Sequence, residues 1–204
     1  MENSHFHLSA FRVKYYIIGS CLEWRDRLEK RTGWREAFSY IKIIVIAACC
    51  AAFLSRVVVV NAQIPSGSME RTIMVGDRIF GNRLAYINEE PERFDIVIFR
   101  PPGDESKLYI KRVIGLPGEK VEVIDGEVYI NDAREPLDDS FVAEMPKGDA
   151  GPYVVPLDCY FMMGDNRNHS EDSRFWEQPF VSRDRIEAKA GFRYFPFDKM
   201  GIVE

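Results

Sequence analysis

Residues 107–130 read KLYIKRVIGLPGEKVEVIDGEVYI. Lys107–Ile114 has the composition of a strand. Lys120–Ile124 and Glu127–Ile130 flank Asp125-Gly126, a pair that suits a tight hairpin turn. Working outward, Asp77–Tyr86 and Asp95–Arg100 read as strands before this stretch. Tyr160–Met163, ending at Gly164, and Ile186–Phe195 read as strands after it. Val57–Val60 is a further β-branched run. Strands at this spacing, punctuated by Gly and Pro, predict a mostly β chain built on a twisted antiparallel β-sheet. Residues 132–158 break the pattern. They are acidic, carry Pro136, Pro146, Pro152 and Pro156, and have weak periodicity, which predicts an inserted loop or small subdomain.

Upstream of the strands, residues 37–54 read AFSYIKIIVIAACCAAFL, with Lys42 as the one charge. Eighteen helical residues cover roughly 27 Å, close to the ~30 Å hydrocarbon core of a bilayer. The segment is apolar all round, unlike the one-sided pattern of a soluble surface helix. Thirty-six residues precede it, more than a cleaved secretory signal usually has. Lys42 can snorkel to the interface, and Trp34 and Tyr40 suit the same level. These features predict one N-terminal transmembrane helix as an anchor over 37–56. The first 42 residues hold eight basic and five acidic side chains, a balance of +3 against -5 for the whole chain. Basic flanks stay inside, so 1–36 is expected to be cytoplasmic and 57–204 extracytoplasmic. Val57–Val60, Ile64, Ile73 and Met74 are apolar and close to the anchor. They are expected to touch the membrane and line a groove, or else to form ordinary core strands.

Composition bounds the function classes. At 204 residues and 46% hydrophobic content, the chain can bury a core and is not a disordered segment. No Lys/Arg patch with interleaved aromatics points to nucleic acid. The four cysteines, Cys21, Cys49, Cys50 and Cys159, form neither a disulfide framework nor a zinc spacing. No cofactor and no metal are expected.

Three clusters can carry chemistry. In Ile64–Ile73 (IPSGSMERTI), Pro65 and Gly67 make a bend that presents Ser66 and Ser68. The same pattern also suits a plain loop. In Lys107–Glu119, strand alternation puts Lys111 on the face of Tyr109 and Val113, with Ile110 and Arg112 on the other. A lysine so placed is either desolvated, which lowers its pKa, or snorkels to water. In Met163–Arg174 (MGDNRNHSEDSR), a dense set of hydrogen-bonding groups follows an apolar strand. It serves either a rigid catalytic loop or a structural turn. A Ser-His-Asp site lacks a suitable histidine, because His5 and His7 precede the anchor and only His169 remains. Cys159 with His169 would be a cysteine-protease pair, but Cys159 sits in no nucleophile signature.

Taken in order behind an anchor, these clusters resemble the bacterial type I signal peptidases, a Ser/Lys-dyad family. The resemblance covers about residues 40–202. It rests on Ser68-Met69, Gly76-Asp77, Lys111–Glu119 (KRVIGLPGE), Gly164–Arg167 (GDNR) and Ser170–Arg174 (SEDSR). It implies Ser68 as nucleophile and a neutral Lys111 as general base. Ser66 is implied to add a hydroxyl to the oxyanion hole, and Ser170 to hydrogen-bond the lysine. Asp172 and Arg174 are implied to brace the site by a salt bridge. The implied substrates are secretory preproteins, cut after small-x-small sites such as Ala-x-Ala beside the lipid bilayer. Two positions depart from the family: Arg71 stands where proline is usual, and Phe94 where glycine is common. Arg71 is the motive for an alternative, a catalytically silent membrane-tethered homologue that binds extended peptides. Self-cleaving repressors share the dyad but lack an anchor and carry a DNA-binding region.

Overall fold

The computed structural model describes Trp34 and residues 36–142 and 144–203. Most of the expected cytoplasmic segment 1–36 lies outside the described residues. Helix α1 (Glu36–Val58) is long and apolar enough to cross a membrane, and its side chains are exposed. The helix covers the expected anchor, 37–56, and runs one residue before it and two beyond. Its last turn, Leu54–Val58, is wound as a π-helix. Val57 and Val58, expected in a strand, are helical, and β1 begins only at Val59. β-branched residues tolerate a helix, whose backbone groups are satisfied within the segment.

Eleven strands follow among the described residues: β1 (Val59–Gln63), β2 (Arg78–Asn82), β3 (Ile96–Phe99), β4 (Tyr109–Gly115), β5 (Lys120–Ile124), β6 (Glu127–Ile130), β7 (Ala150–Val154), β8 (Cys159–Met163), β9 (Phe180–Ser182), β10 (Ile186–Phe195) and β11 (Gly201–Ile202). The fold is mostly β. One sheet runs in the order β1-β2-β10-β3-β4-β8-β9, with β11 on β10, and a smaller one runs β6-β5-β7. Every pairing is antiparallel. Asp125-Gly126 closes the β5–β6 hairpin with positive φ at both residues, as a primed turn requires.

The stretch 132–158 is not wholly a loop. It contributes β7, which pairs with β5 in the register Val121↔Tyr153. The smaller sheet thus joins β7 to β5 and β6, which precede the expected insert.

Strand β4 sits centrally in the larger sheet and is buried from Ile110 to Gly115. Ile110 joins one apolar cluster, with Ile64, Met69, Ile73 and Ile98. Tyr109 and Val113 join a second, with Val97, Phe99 and Trp176. The alternation of β4 thus delivers Lys111 and Arg112 to opposite faces. Gly115 is where β4 passes under β5: a β-carbon there would stand 2.6 Å from Val121 Cγ2. Ile114, Val121, Val123, Val128, Phe161 and Met163 form the core shared by the two sheets.

Val60, Ile64 and Ile73 are core residues, not membrane contacts. They face inward because they supply the apolar side of β1 and the turn that follows it. Met74 and Val57 are exposed.

Candidate active site

The chain leaves β1 at Ile64 and returns at Asp77, closed by Ile64 N donating to Asp77 O and Gly76 N donating to Ile64 O. Within this loop, Thr72 N and Ile73 N both donate to Met69 O, which winds a tight turn just after Ser68. Met69 and Ile73 are fully buried and anchor the turn in the core. Arg193 on β10 holds its far side, donating to Thr72 O and Asp77 Oδ2.

Lys111 comes from β4, where it lies opposite Val97. Lys111 and Ser68 are both buried, and Lys111 Nζ donates to Ser68 Oγ at 2.5 Å across 43 residues of chain. The Tyr109 ring lies 5.7 Å from the amine. Burial lowers the Lys111 pKa from 10.5 to about 8, while Asp172, Asp165 and Glu171 oppose the shift. Desolvation penalises the ammonium more than those carboxylates help it.

The loop after β8 supplies the brace. Asp165 takes a bidentate pair from Arg112 at 2.9 and 2.7 Å, and Thr72 Oγ1 donates to it at 2.5 Å. Asn166 N donates to Ser68 O, and Asn166 Nδ2 to Gly67 O. Asp172 accepts from Gly164 N at 3.0 Å and from Arg174 Nε at 2.9 Å. Gly164 has no room for a side chain, since a β-carbon would collide with Ser170 Oγ and the Ser68 carbonyl.

The structure therefore brings Ser68 and Lys111 together and forms the Asp172–Arg174 pair. Ser66 is exposed two residues before Ser68. Ser170 differs from expectation: its hydroxyl is buried without a hydrogen-bond partner. The amine is instead engaged by Ser68, and Ser170 sits beside Gly164. His169 is exposed and bonds Asn166 rather than the serine. Among the described residues, no group of three or more His, Cys, Asp or Glu could hold a metal ion. Reading the sequence missed the work of Asn166 and Thr72. Asn166 acts on backbone carbonyls, which leave no mark in side-chain patterning. The one available signal was its place in a polar run directly after a buried strand. Arg71 has φ of 86°, a conformation closed to proline, whose ring holds φ near −65°.

Residues 37–195 match the family described as "Signal peptidase, peptidase S26". The chain belongs to this family. Signal peptidases with similar sequences include a probable signal peptidase I-2 from Synechocystis, 38% identical over 79% of this chain and 75% of that protein. A signal peptidase I from Leptolyngbya laminosa is 37% identical over 79% of this chain and 81% of its own. One from Rickettsia bellii is 32% identical over 81% and 74%. A crystal structure of a signal peptidase I from Enterococcus faecalis aligns with a TM-score of 0.42 at 35% identity, covering 50% of this chain and 97% of that one. As a member of the signal peptidase family, the chain is a serine endopeptidase that removes signal peptides.

Proposed function

We propose that the chain is a membrane-tethered Ser/Lys-dyad signal peptidase that cuts after small-x-small sites, with Ser68 as nucleophile and neutral Lys111 as general base. The carrying observation is the 2.5 Å contact between Lys111 Nζ and Ser68 Oγ in a buried setting. A serine hydroxyl is a weak nucleophile until a base takes its proton. A lysine amine can do so once its pKa falls near the working pH, and burial moves Lys111 that way.

In this reading the Ser68 proton passes to Nζ as Oγ attacks the scissile carbonyl. The Ser68 backbone N–H and the Ser66 hydroxyl face the developing oxyanion. The resulting ammonium gives its proton to the leaving amine, the peptide bond breaks, and an acyl-serine remains. Nζ then takes a proton from water as the water oxygen attacks the ester carbonyl, and it returns that proton to Ser68 Oγ as the acyl–oxygen bond breaks. Asp172 and Arg174 hold the loop behind the dyad. Ser170, buried beside Gly164, offers a spare acceptor for the protons of a neutral amine.

The groove supports small side chains. A cavity of about 170 Å³ is lined by residues 61–65, by Leu108–Ile110 and by Ile98. β1 ends the sheet order, so one of its edges is open to an extended peptide. In such a peptide, positions two apart share a face, which accounts for small-x-small. Helix α1 would tether the enzyme beside signal peptides in the bilayer. The basic excess before it supports an N-terminus in the cytoplasm with 57–204 outside. The Ser68–Lys111 contact, kept with Arg71 in the same turn, favours this reading over the silent homologue.

The test uses full-length protein in detergent micelles with a precursor bearing Ala-x-Ala. Wild type should cut it there. Ser68→Ala and Lys111→Ala should each lose at least a thousandfold in kcat. Activity retained in both variants would sink the dyad.

A further inference from the structure

Two non-glycine residues close to the site hold left-handed backbone: Arg71, with φ of 86°, and Phe94, with φ of 73°. Side chains rarely adopt this region, and such conformations persist only where the surroundings enforce them. Consecutive residues of one segment contact both. Arg71 Nη1 donates to Val142 O at 2.6 Å across 71 residues. The Phe141 ring packs edge-on against Phe94 at 5.4 Å and lies 4.1 Å from the Arg112 guanidinium. Arg112 in turn donates to Phe94 O and binds Asp165, which accepts from Thr72 beside Arg71.

The segment is itself fastened to the loop after β8. Asp139 forms an ion pair with the fully buried Arg167 at 2.6 Å, an approach without hydrogen-bond alignment. Further on, Asn168 donates to Glu144 Oε2 and Met145 O and accepts from Lys147 N. This segment, the strap, thus touches the turn that carries Ser68, Phe94 two residues before β3, and the loop that holds Ser68 O through Asn166.

We propose that Arg71 is a positioning residue: its guanidinium clasps the strap at Val142 and so fixes the turn that aims Ser68 at Lys111. Arg71 touches neither dyad atom and acts through the backbone between residues 68 and 73. This rests on Ser68 being the nucleophile. A misplacement of the reacting oxygen by a fraction of an ångström is enough to slow acyl transfer strongly. Loosening the clasp therefore costs turnover more than binding, because the groove residues of β1 and β4 do not depend on it.

The test compares Arg71→Gly, Arg71→Lys, Phe141→Ala and the Arg71→Gly/Phe141→Ala double variant with wild type. All are full-length chains in detergent micelles with the Ala-x-Ala precursor. Glycine suits a φ of 86°, so Arg71→Gly should melt at or above the wild-type temperature. Its kcat should nevertheless fall about tenfold, about 1.4 kcal/mol, with KM within twofold. Arg71→Lys, which keeps a donor, should recover at least a third of the lost kcat. With Phe141 already truncated, Arg71→Gly should cost less than threefold more, since coupled residues are not additive. The proposal is overturned if Arg71→Gly keeps kcat within twofold, if kcat falls only in step with melting temperature, or if the two changes simply multiply. If Ser68→Ala stays active, the dyad reading fails first. Hydrogen exchange of amides 69–73 then still decides the clasp: faster exchange in Arg71→Gly supports it, and unchanged exchange overturns it.

Discussion

On the proposed reading, Lys111 carries the largest functional consequence of any single side chain. Its neighbours on β4 decide its environment, and that much was legible: alternation placed it beside Tyr109 and Val113, and the structure keeps it there. Its partner across 43 residues was not legible from strand phase; the family resemblance supplied Ser68. Burial lowers its pKa to about 8, so the amine is mostly charged below that pH and mostly neutral above it. A base must be neutral to accept a proton, so kcat should climb through a limb centred near pH 8 and level off above it. The check is a pH–rate profile from 6 to 10 under saturating precursor; a flat profile would remove Lys111 as base. Asp172→Asn removes a carboxylate that favours the ammonium, so its limb should move toward lower pH. The unexpected state of Ser170 has a local cause. A hydroxyl's rotation depends on its immediate packing, here against Gly164, and nothing in a one-dimensional pattern encodes that.

Among elements, those with strong local signals were the ones read correctly. The β5–β6 hairpin matches residue for residue because Asp125-Gly126 dictates its turn. β10 also matches, as a long run with apolar residues on alternate positions. β7, β9 and β11 escaped notice. They are short, β7 and β11 hold no buried residue, and β7 contains Gly151-Pro152, which argues against a strand by composition. Its place comes from the open edge of β5, a non-local cause. The tie between β4 and the loop after β8 likewise depends on a contact invisible in either segment alone, the buried Arg112–Asp165 pair. Neutralising Asp165 takes the bidentate carboxylate from the buried Arg112, and breaking a buried pair from one side typically costs about 3–5 kcal/mol. Asp165→Asn should therefore destabilise the catalytic domain by about 3 kcal/mol, read as a lower midpoint in urea unfolding. Activity per folded molecule should fall too, since Thr72 and Arg112 lose their shared acceptor. A midpoint unchanged from wild type would show that the pair contributes nothing.

At the scale of the whole molecule, the apolar run before the strands was the plainest feature of the sequence, and α1 covers it. If it tethers the enzyme, its contribution is one of effective concentration rather than chemistry. A chain beginning at Val57 keeps every strand and both dyad residues. It should cleave a short water-soluble Ala-x-Ala peptide within about threefold of the full chain. On a precursor embedded in vesicles, it should be slower by about a hundredfold. Equal losses on the two substrates would mean that α1 supports the fold instead.

The depressed Lys111 pKa also bears on restraint. If Lys111 is the base, a pKa near 8 leaves only about one copy in ten armed at pH 7 at any instant. On the Ser68–Lys111 reading, protonation slows every cleavage by the same factor, so local acidity becomes a dial on overall turnover and not on which client is cut.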